Sequence, residues 1–389
     1  MRRSLILIFL AAALAGSVFA IPTPSYSSLS WKDARSMGSG GTSLLFSTGY
    51  DSFFGNPAGF SGPGSLTLGD ASLWGYLPVT PGNLNELQNI LSGEASQTDV
   101  ETGFDHFLTS NSEVGFGGSI GLGWAGRGFG VGTTIVSEAR LTGYDFANSN
   151  IVVQNQFNAI LGFGIPINLG ALHLSVGADA RGFYRLDTRA YGWSNAHGIV
   201  LAAMGYGGDF TSLVDPKYMT GGLGYAVDAG ATLKLGPFMA GFMARDFFGK
   251  LQLSDATVQD IVENSNFPMD NTYSAALVPS YTGGVGLSFN ENGLFSPSLY
   301  AETDDIPGLI DAVKSGLTDT ETLLASVRVG GQLRLLKIFI VRGGLNQNCL
   351  SVGAGIDLHL IRVDVAMFGE DIGDSQPRSG LAVRAAVKF

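Results

Sequence analysis

The run Val114-Gly115-Phe116-Gly117-Gly118-Ser119-Ile120-Gly121-Leu122-Gly123-Trp124 has period two. Val114, Phe116, Ile120, Leu122 and Trp124 share one face, and glycine or serine fills the other. Successive side chains of a strand point to opposite sides of the sheet, so this run predicts a strand with two different environments. The same pattern returns at Phe157 to Ile165 and at Leu172 to Arg181. Segments of about ten residues, apolar on one face and small or polar on the other, are the signature of a membrane β-barrel strand. A water-soluble sandwich also alternates, so the rest of the chain has to choose between them.

Composition narrows the choice. Among 389 residues only 14% are charged, 45% are hydrophobic and 56 are glycine. Soluble domains carry roughly 25% charge and about 7% glycine. The 33 Asp and Glu against 22 Lys and Arg give −11, which speaks against a nucleic-acid partner with its clustered basic surface. Arg2 and Arg3, the apolar run Leu5 to Ala15 and the small-residue end Val18-Phe19-Ala20 read as a cleaved export signal over 1–20. Its removal leaves 20 cations against 33 carboxylates, or −13. Beyond it no apolar stretch reaches the 18 or so residues of a membrane helix. The single cysteine, Cys349, can form no internal disulfide. Export, alternation and few charges together point to the outer membrane of a diderm bacterium.

Fourteen strands are predicted, near 64–76, 112–124, 128–144, 153–165, 171–186, 222–235, 237–246, 281–289, 295–303, 324–335, 337–345, 351–360, 362–369 and 380–389. An even number returns both barrel ends to one side. Short turns are expected at 125–127, 166–170, Gly236, Leu336 and Ile361, and long connections at 77–111, 187–221, 247–280 and 304–323. In the final strand Leu381, Val383, Ala385, Val387 and Phe389 share a face opposite Arg384 and Lys388. A last strand ending on an aromatic residue resembles the signal read by barrel-assembly machinery, and Phe389 is the residue that carries it.

The face assigned to the lumen holds Asp179, Arg181, Arg185, Asp228, Arg245, Arg328, Arg334, Asp357, Arg362, Asp364 and Arg384. Arg or Lys facing lipid at the midplane costs roughly 2–4 kcal/mol, so these charges belong inside. They read either as structural ion pairs or as a polar path. The connections carry apolar residues at helical spacing: Leu84, Leu87 and Leu91, and again Leu309, Ile310, Val313 and Leu317. Ile199, Leu201 and Met204 in one connection and Val258, Ile261 and Val262 in another are candidate ligand-binding residues, or else the core of packed loops.

Residues 21–63 do not alternate. They contain Ala34-Arg35-Ser36-Met37-Gly38-Ser39-Gly40-Gly41-Thr42 and, later, Asn56-Pro57-Ala58-Gly59-Phe60. Here the chain resembles the FadL family of outer-membrane transporters for long-chain fatty acids and other hydrophobic compounds. The resemblance implies an all-β fold: a transmembrane antiparallel β-barrel of about fourteen strands, with an N-terminal hatch as a plug inside the lumen. It divides the chain into 1–20 (signal peptide), 21–63 (hatch) and 64–389 (barrel), and makes Asn56, Pro57, Ala58 and Gly59 the gating motif. The implied function is passive uptake of a hydrophobic ligand, a long-chain fatty acid foremost, by loop capture, lumen binding and hatch movement. The expected partners are that ligand, outer-membrane lipid and the assembly machinery, with no nucleic acid.

No cofactor, metal or catalytic residue is expected. His106, His173, His197 and His359 lack metal-ligand spacing. Gly121-Leu-Gly123-Trp-Ala-Gly126 matches a dinucleotide fingerprint without the helix that must follow it. The alternatives are a docking barrel for secreted proteins and a general porin.

Overall fold

A computed structural model describes residues 26–29, 31–78, 81–111, 113–188, 193–207, 213, 217–290, 293–304, 306, 309–310, 314, 326–372 and 377–389. The expected export signal at 1–20 lies outside them, as do Val313 and Leu317.

The first strands are β1 (Ser65–Tyr76), β2 (Glu113–Gly126), β3 (Phe129–Thr142), β4 (Asn150–Leu169) and β5 (Leu172–Asp187). A two-residue β6 (Trp193–Ser194) pairs beside β4. Next come β7 (Tyr218–Leu235), β8 (Phe238–Arg245), β9 (Lys250–Thr257), β10 (Tyr273–Ala276) and β11 (Ser280–Ser288). The chain ends with β12 (Phe295–Thr303), β13 (Arg328–Leu335), β14 (Phe339–Asn346), β15 (Cys349–Asp357), β16 (Ile361–Asp371) and β17 (Pro377–Lys388). All pair antiparallel, and β1 pairs with β17, which closes the sheet into a barrel. β9 continues β8 along the edge of β7, and β10 precedes β11 in the same manner, so the wall is fourteen strands around.

The expected alternation is realised residue by residue. Leu73, Phe116, Ile120, Leu122, Leu161, Phe163 and Val383 lie exposed on the outer face. Their neighbours Ser72, Asn158, Ile160 and Arg384 are buried inside. Closed pairing leaves no unsatisfied edge in lipid, which is why a barrel can span where an open sheet cannot. Tight turns gather at one end. Arg127 and Gly128 both take positive φ (55° and 94°), joining Gly126 to Phe129 across a two-residue hairpin. The ring closes at the same end, where Leu66 and Phe389 exchange backbone hydrogen bonds of 2.9 and 2.8 Å.

Three expectations are revised. The connection expected over 247–280 is partly wall: Leu251 and Leu253, then Ala275 and Leu277, alternate inward and extend the ladder as β9 and β10. Strand β4 runs to Leu169, so the turn expected at 166–170 shrinks to Gly170-Ala171. Pro166 is tolerated there because β3 ends opposite Phe163 and nothing beyond it needs the missing donor. Finally, the turn placed at Ile361 lies at 358–360, and Ile361 begins β16.

Candidate functional site in the lumen

Residues 26–63 pack against inward-facing positions on strands all round the barrel. Asp33 starts the short helix Ala34–Gly38, its carboxylate accepting from the Arg35 and Ser36 amides at 2.9 and 3.1 Å. This helix lies on β15 and β16, and a Cβ on Gly353 would stand 3.0 Å from the Gly38 Cα. Leu45 meets Gly241 and Gly286, on β8 and β11, and Tyr50 meets Gly121 on β2. Phe60 fills the space left by Gly162 on β4 and Gly130 on β3. The glycine-rich face of the alternating strands is therefore where this segment fits.

Asn56-Pro57-Ala58-Gly59 is buried within this packing. Asn56 is the N-cap of a 3-10 turn, Pro57–Ser61, and its Oδ1 accepts from the Ala58 amide at 3.0 Å. Its Nδ2 donates to the Ala231 and Phe242 carbonyls of β7 and β8 at 3.3 and 3.4 Å. Proline at the first helical position has no amide to leave unpaired. Gly230 and Gly177 let the wall approach: a Cβ there would fall 2.0 Å from the Asn56 Oδ1 and 2.2 Å from the Pro57 carbonyl oxygen. The motif is clamped to β5, β7 and β8.

Charged residues tie the segment to the wall. Arg384 on β17 donates to Asp33 at 3.0 Å, to Asp51 at 2.5 Å and to Asp70 on β1 at 2.6 Å. Arg35 donates to the other Asp51 oxygen at 2.6 Å and stacks on Phe46, 4.2 Å from the ring centroid. On β12 the Glu302 carboxylate accepts from the Ser43 and Leu44 amides at 2.9 and 3.0 Å. Lys32 pairs with Glu370, and Ser28 and Arg181 share Asp246. A buried charge stripped of its partner is costly, so these links hold the segment in one position. The lumen charges read from sequence accordingly include pairs: Arg181 with Asp246, and Arg362 with Asp364.

Two cavities border the luminal segment among the described residues. One, of about 390 Å³, lies toward the end with long connections; Trp31, Met37, Phe46, Phe54, Met243 and Val278 line it together with charged residues such as Lys32, Arg245, Asp304 and Glu370. The second, of about 680 Å³, lies toward the tight turns. Phe46 and Asp51 line both and form the partition between them.

Beside the first cavity the ladder is interrupted in two neighbouring strands, between Arg245 and Lys250 and between Ala276 and Ser280. Isolated bonds span the gap: Phe247 N to Val227 O, Leu277 N to Gly249 O, and Val278 N to Tyr26 O, at 2.9, 3.1 and 2.9 Å. Val278 and Phe248 are exposed there, at 49% and 64%. Inside, Tyr26 packs with Phe183, Leu251, Leu253 and Leu277 in an apolar collar.

The long connections form a packed cap. Leu201 is buried among Ile90, Val100, Phe107 and Phe146, with Met204 against the same cluster. Ile199 is buried beside Trp193 and Met219, with Val258 and Ile261 against it. The two expected groups thus meet across loops, and Ile199 and Leu201 serve as core. Val262 ends the helix Val258–Val262, and its side chain lies outside the described residues. Leu84 is exposed and Leu87 packs on the cap core; the Leu91 side chain is likewise outside the description. His197 Nε2 lies 3.1 Å from Glu101 and joins two loop helices. Hydrogen bonds from Gln97 and His197 hold the Glu101 carboxyl below its ordinary value, and the Ser96 hydroxyl and amide do the same for Asp99.

Sequence reading missed Phe46, Asp51 and the ladder interruption. Asp51 stands five residues before Asn56, but its partner Arg384 is 333 positions away, so no local pattern announces the pair.

No family model matches the chain, and neither does any curated protein. Solved structures do. The Pseudomonas putida toluene transporter TodX is 14% identical, with a TM-score of 0.47 over 92% of this chain and 98% of its own. The Ralstonia pickettii toluene transporter TbuX is 12% identical, with a TM-score of 0.46 over 92% and 97%. The monoaromatic hydrocarbon channel CymD is 14% identical, with a TM-score of 0.46 over 92% and 96%. The chain is similar to these hydrocarbon channels along nearly its whole length.

Proposed function

We propose that this barrel is an outer-membrane channel for the passive uptake of hydrophobic small molecules, long-chain fatty acids foremost. The observation that carries this reading is the cavity of about 390 Å³ between the luminal segment and the wall, set against the interruption at 246–249 and 277–279. Its volume lies within the usual range for small-molecule sites, roughly 300–1,000 Å³. An apolar ligand entering past the cap gains about 0.8 kcal/mol for each methylene it buries. Leaving sideways at the interruption, past the exposed Phe248 and Val278, it passes into lipid without crossing the periplasm. Residues 21–63 act as the hatch, and a shift around Asn56-Pro57-Ala58-Gly59 opens the exit. The filled lumen counts against a general porin.

The test is uptake by cells displaying the barrel, compared with cells without it. The probes are a labelled long-chain fatty acid, a neutral aromatic hydrocarbon and a small hydrophilic solute. Uptake of either hydrophobic probe without solute leak is the expected result, and the stronger of the two sets the ligand class. Leak of the solute, or uptake of none of the three, overturns the reading.

A further inference from the structure

The larger cavity, at the tight-turn end, has no part in that route. Its lining is cationic: Arg35, Lys234, Arg334, Arg362, Arg384 and Lys388 face it, against Asp51 and Asp70. Five of those cations have partners within the protein, Lys234 among them. Arg35 and Arg384 hold Asp51, Arg362 holds Asp364, and Lys388 donates to Asp357 at 2.9 Å. Arg334 is different: among the described residues it makes no ion pair and no side-chain hydrogen bond. It sits on β13 one residue from the end of the strand, opposite Ser296. Ser298 and Gln332 line the same side and add neutral polar groups to the lining. A guanidinium presents a planar fork of donors suited to carboxylate or phosphate oxygens.

We infer that this cavity is an anion-binding site, taking a carboxylate or phosphate group on the Arg334 guanidinium. A guanidinium with no carboxylate beside it attracts an anion, the more so where protein atoms displace part of the surrounding water. The volume, about 680 Å³, exceeds what a bare anion fills, so a tail attached to the anionic group can be housed against Met239, Leu45 and Phe46. The site also touches the partition, because Asp51 already binds Arg35 and Arg384 on its border. An incoming anion competes with that carboxylate for the same two guanidiniums. The inference does not depend on the transport reading.

The experiment is calorimetric titration of the full barrel, folded in a neutral detergent below the micellar threshold of each probe. The probes are dodecyl phosphate, dodecanoate, dodecanol and inorganic phosphate. The charged amphiphiles are expected to bind at least tenfold tighter than dodecanol. Arg334→Gln should remove that advantage and Arg334→Lys should keep part of it, with heat-modifiable gel migration reporting that both variants fold. Inorganic phosphate binding as tightly as dodecyl phosphate supports the site and assigns it to a free anion. Much weaker binding of phosphate alone supports it and assigns it to an amphiphile. Equal affinity for dodecanol and the charged amphiphiles, with no binding of phosphate, overturns it. So does an affinity for the anions that Arg334→Gln leaves unchanged.

Discussion

Arg384, in the last strand, and Asp51, in the segment that fills the lumen, are joined by a hydrogen bond of 2.5 Å. Asp70 of the first strand and Asp33 of the luminal segment complete the ring of carboxylates around the same guanidinium. Barrel closure and luminal packing therefore share one charged centre. Asp51→Asn removes the carboxylate that two arginines hold. Breaking a buried pair on one side costs about 3–5 kcal/mol, and the remaining carboxylates place this variant at the low end. The expected outcome is a lower thermal unfolding temperature with correct membrane insertion; an unchanged unfolding temperature counts against the link.

Phe46 separates the two cavities, with Arg35 stacked on one side and Tyr300 at 5.3 Å between ring centroids. Phe46→Ala should join them into one passage. Single-channel conductance in planar bilayers is expected to rise several-fold over the parent barrel. Equal conductance would show that the partition is made elsewhere.

Asn56→Ala loses an N-cap and two donors to the wall, a change of about 1 kcal/mol for the cap alone. Barrel assembly should be normal and hydrophobic uptake reduced. Retained uptake would take the motif out of the mechanism. Gly230→Val is the complementary variant, since its side chain invades the space of Asn56 Oδ1 and should displace the same turn.

Deleting Phe389 removes the two backbone bonds it exchanges with Leu66, each worth about 1 kcal/mol, and the exposed terminal ring. Slower and less complete insertion is expected, read from the folded fraction on unheated gels. Normal insertion would remove the terminal aromatic from the assembly signal.

The loop cap carries a pH dependence. Asp99 and Glu101 have carboxyls depressed by Ser96, and by Gln97 with His197, respectively. A depressed carboxyl contributes stability that is present above its unfolded value, about 4, and is lost as pH falls through the folded value. Protection of residues 97–111 from hydrogen exchange, corrected for the intrinsic pH effect, should be constant from pH 7 to about 5 and decline below about 4. Constant protection down to pH 3 would show that these bonds do not hold the cap.

Much of the wall was legible because period-two alternation is a local property, visible at Val114 to Trp124 without any partner strand. The segment 250–257 escaped because its ladder restarts after the irregular Asp246-Phe247-Phe248-Gly249, and a short strand between two breaks reads as a loop. The Asn56-Pro57-Ala58-Gly59 turn was legible as a turn, since proline and a capping asparagine act on their own neighbours. Its clamp on β7 was not, because Asn56 and Ala231 lie 175 positions apart. Ile199 and Leu201 were visibly apolar. Whether an apolar loop residue lines an open groove or a closed core depends on which other loops reach it, and that is a tertiary fact.

The ring of carboxylates on Arg384 ties the two ends of the chain together. Asp33, Asp51 and Asp70 precede Arg384 by 351, 333 and 314 positions. Without that arginine the three carboxylates would repel one another and favour water over a buried site. One guanidinium thus couples two things a barrel could otherwise do separately, shutting its ring and filling its interior.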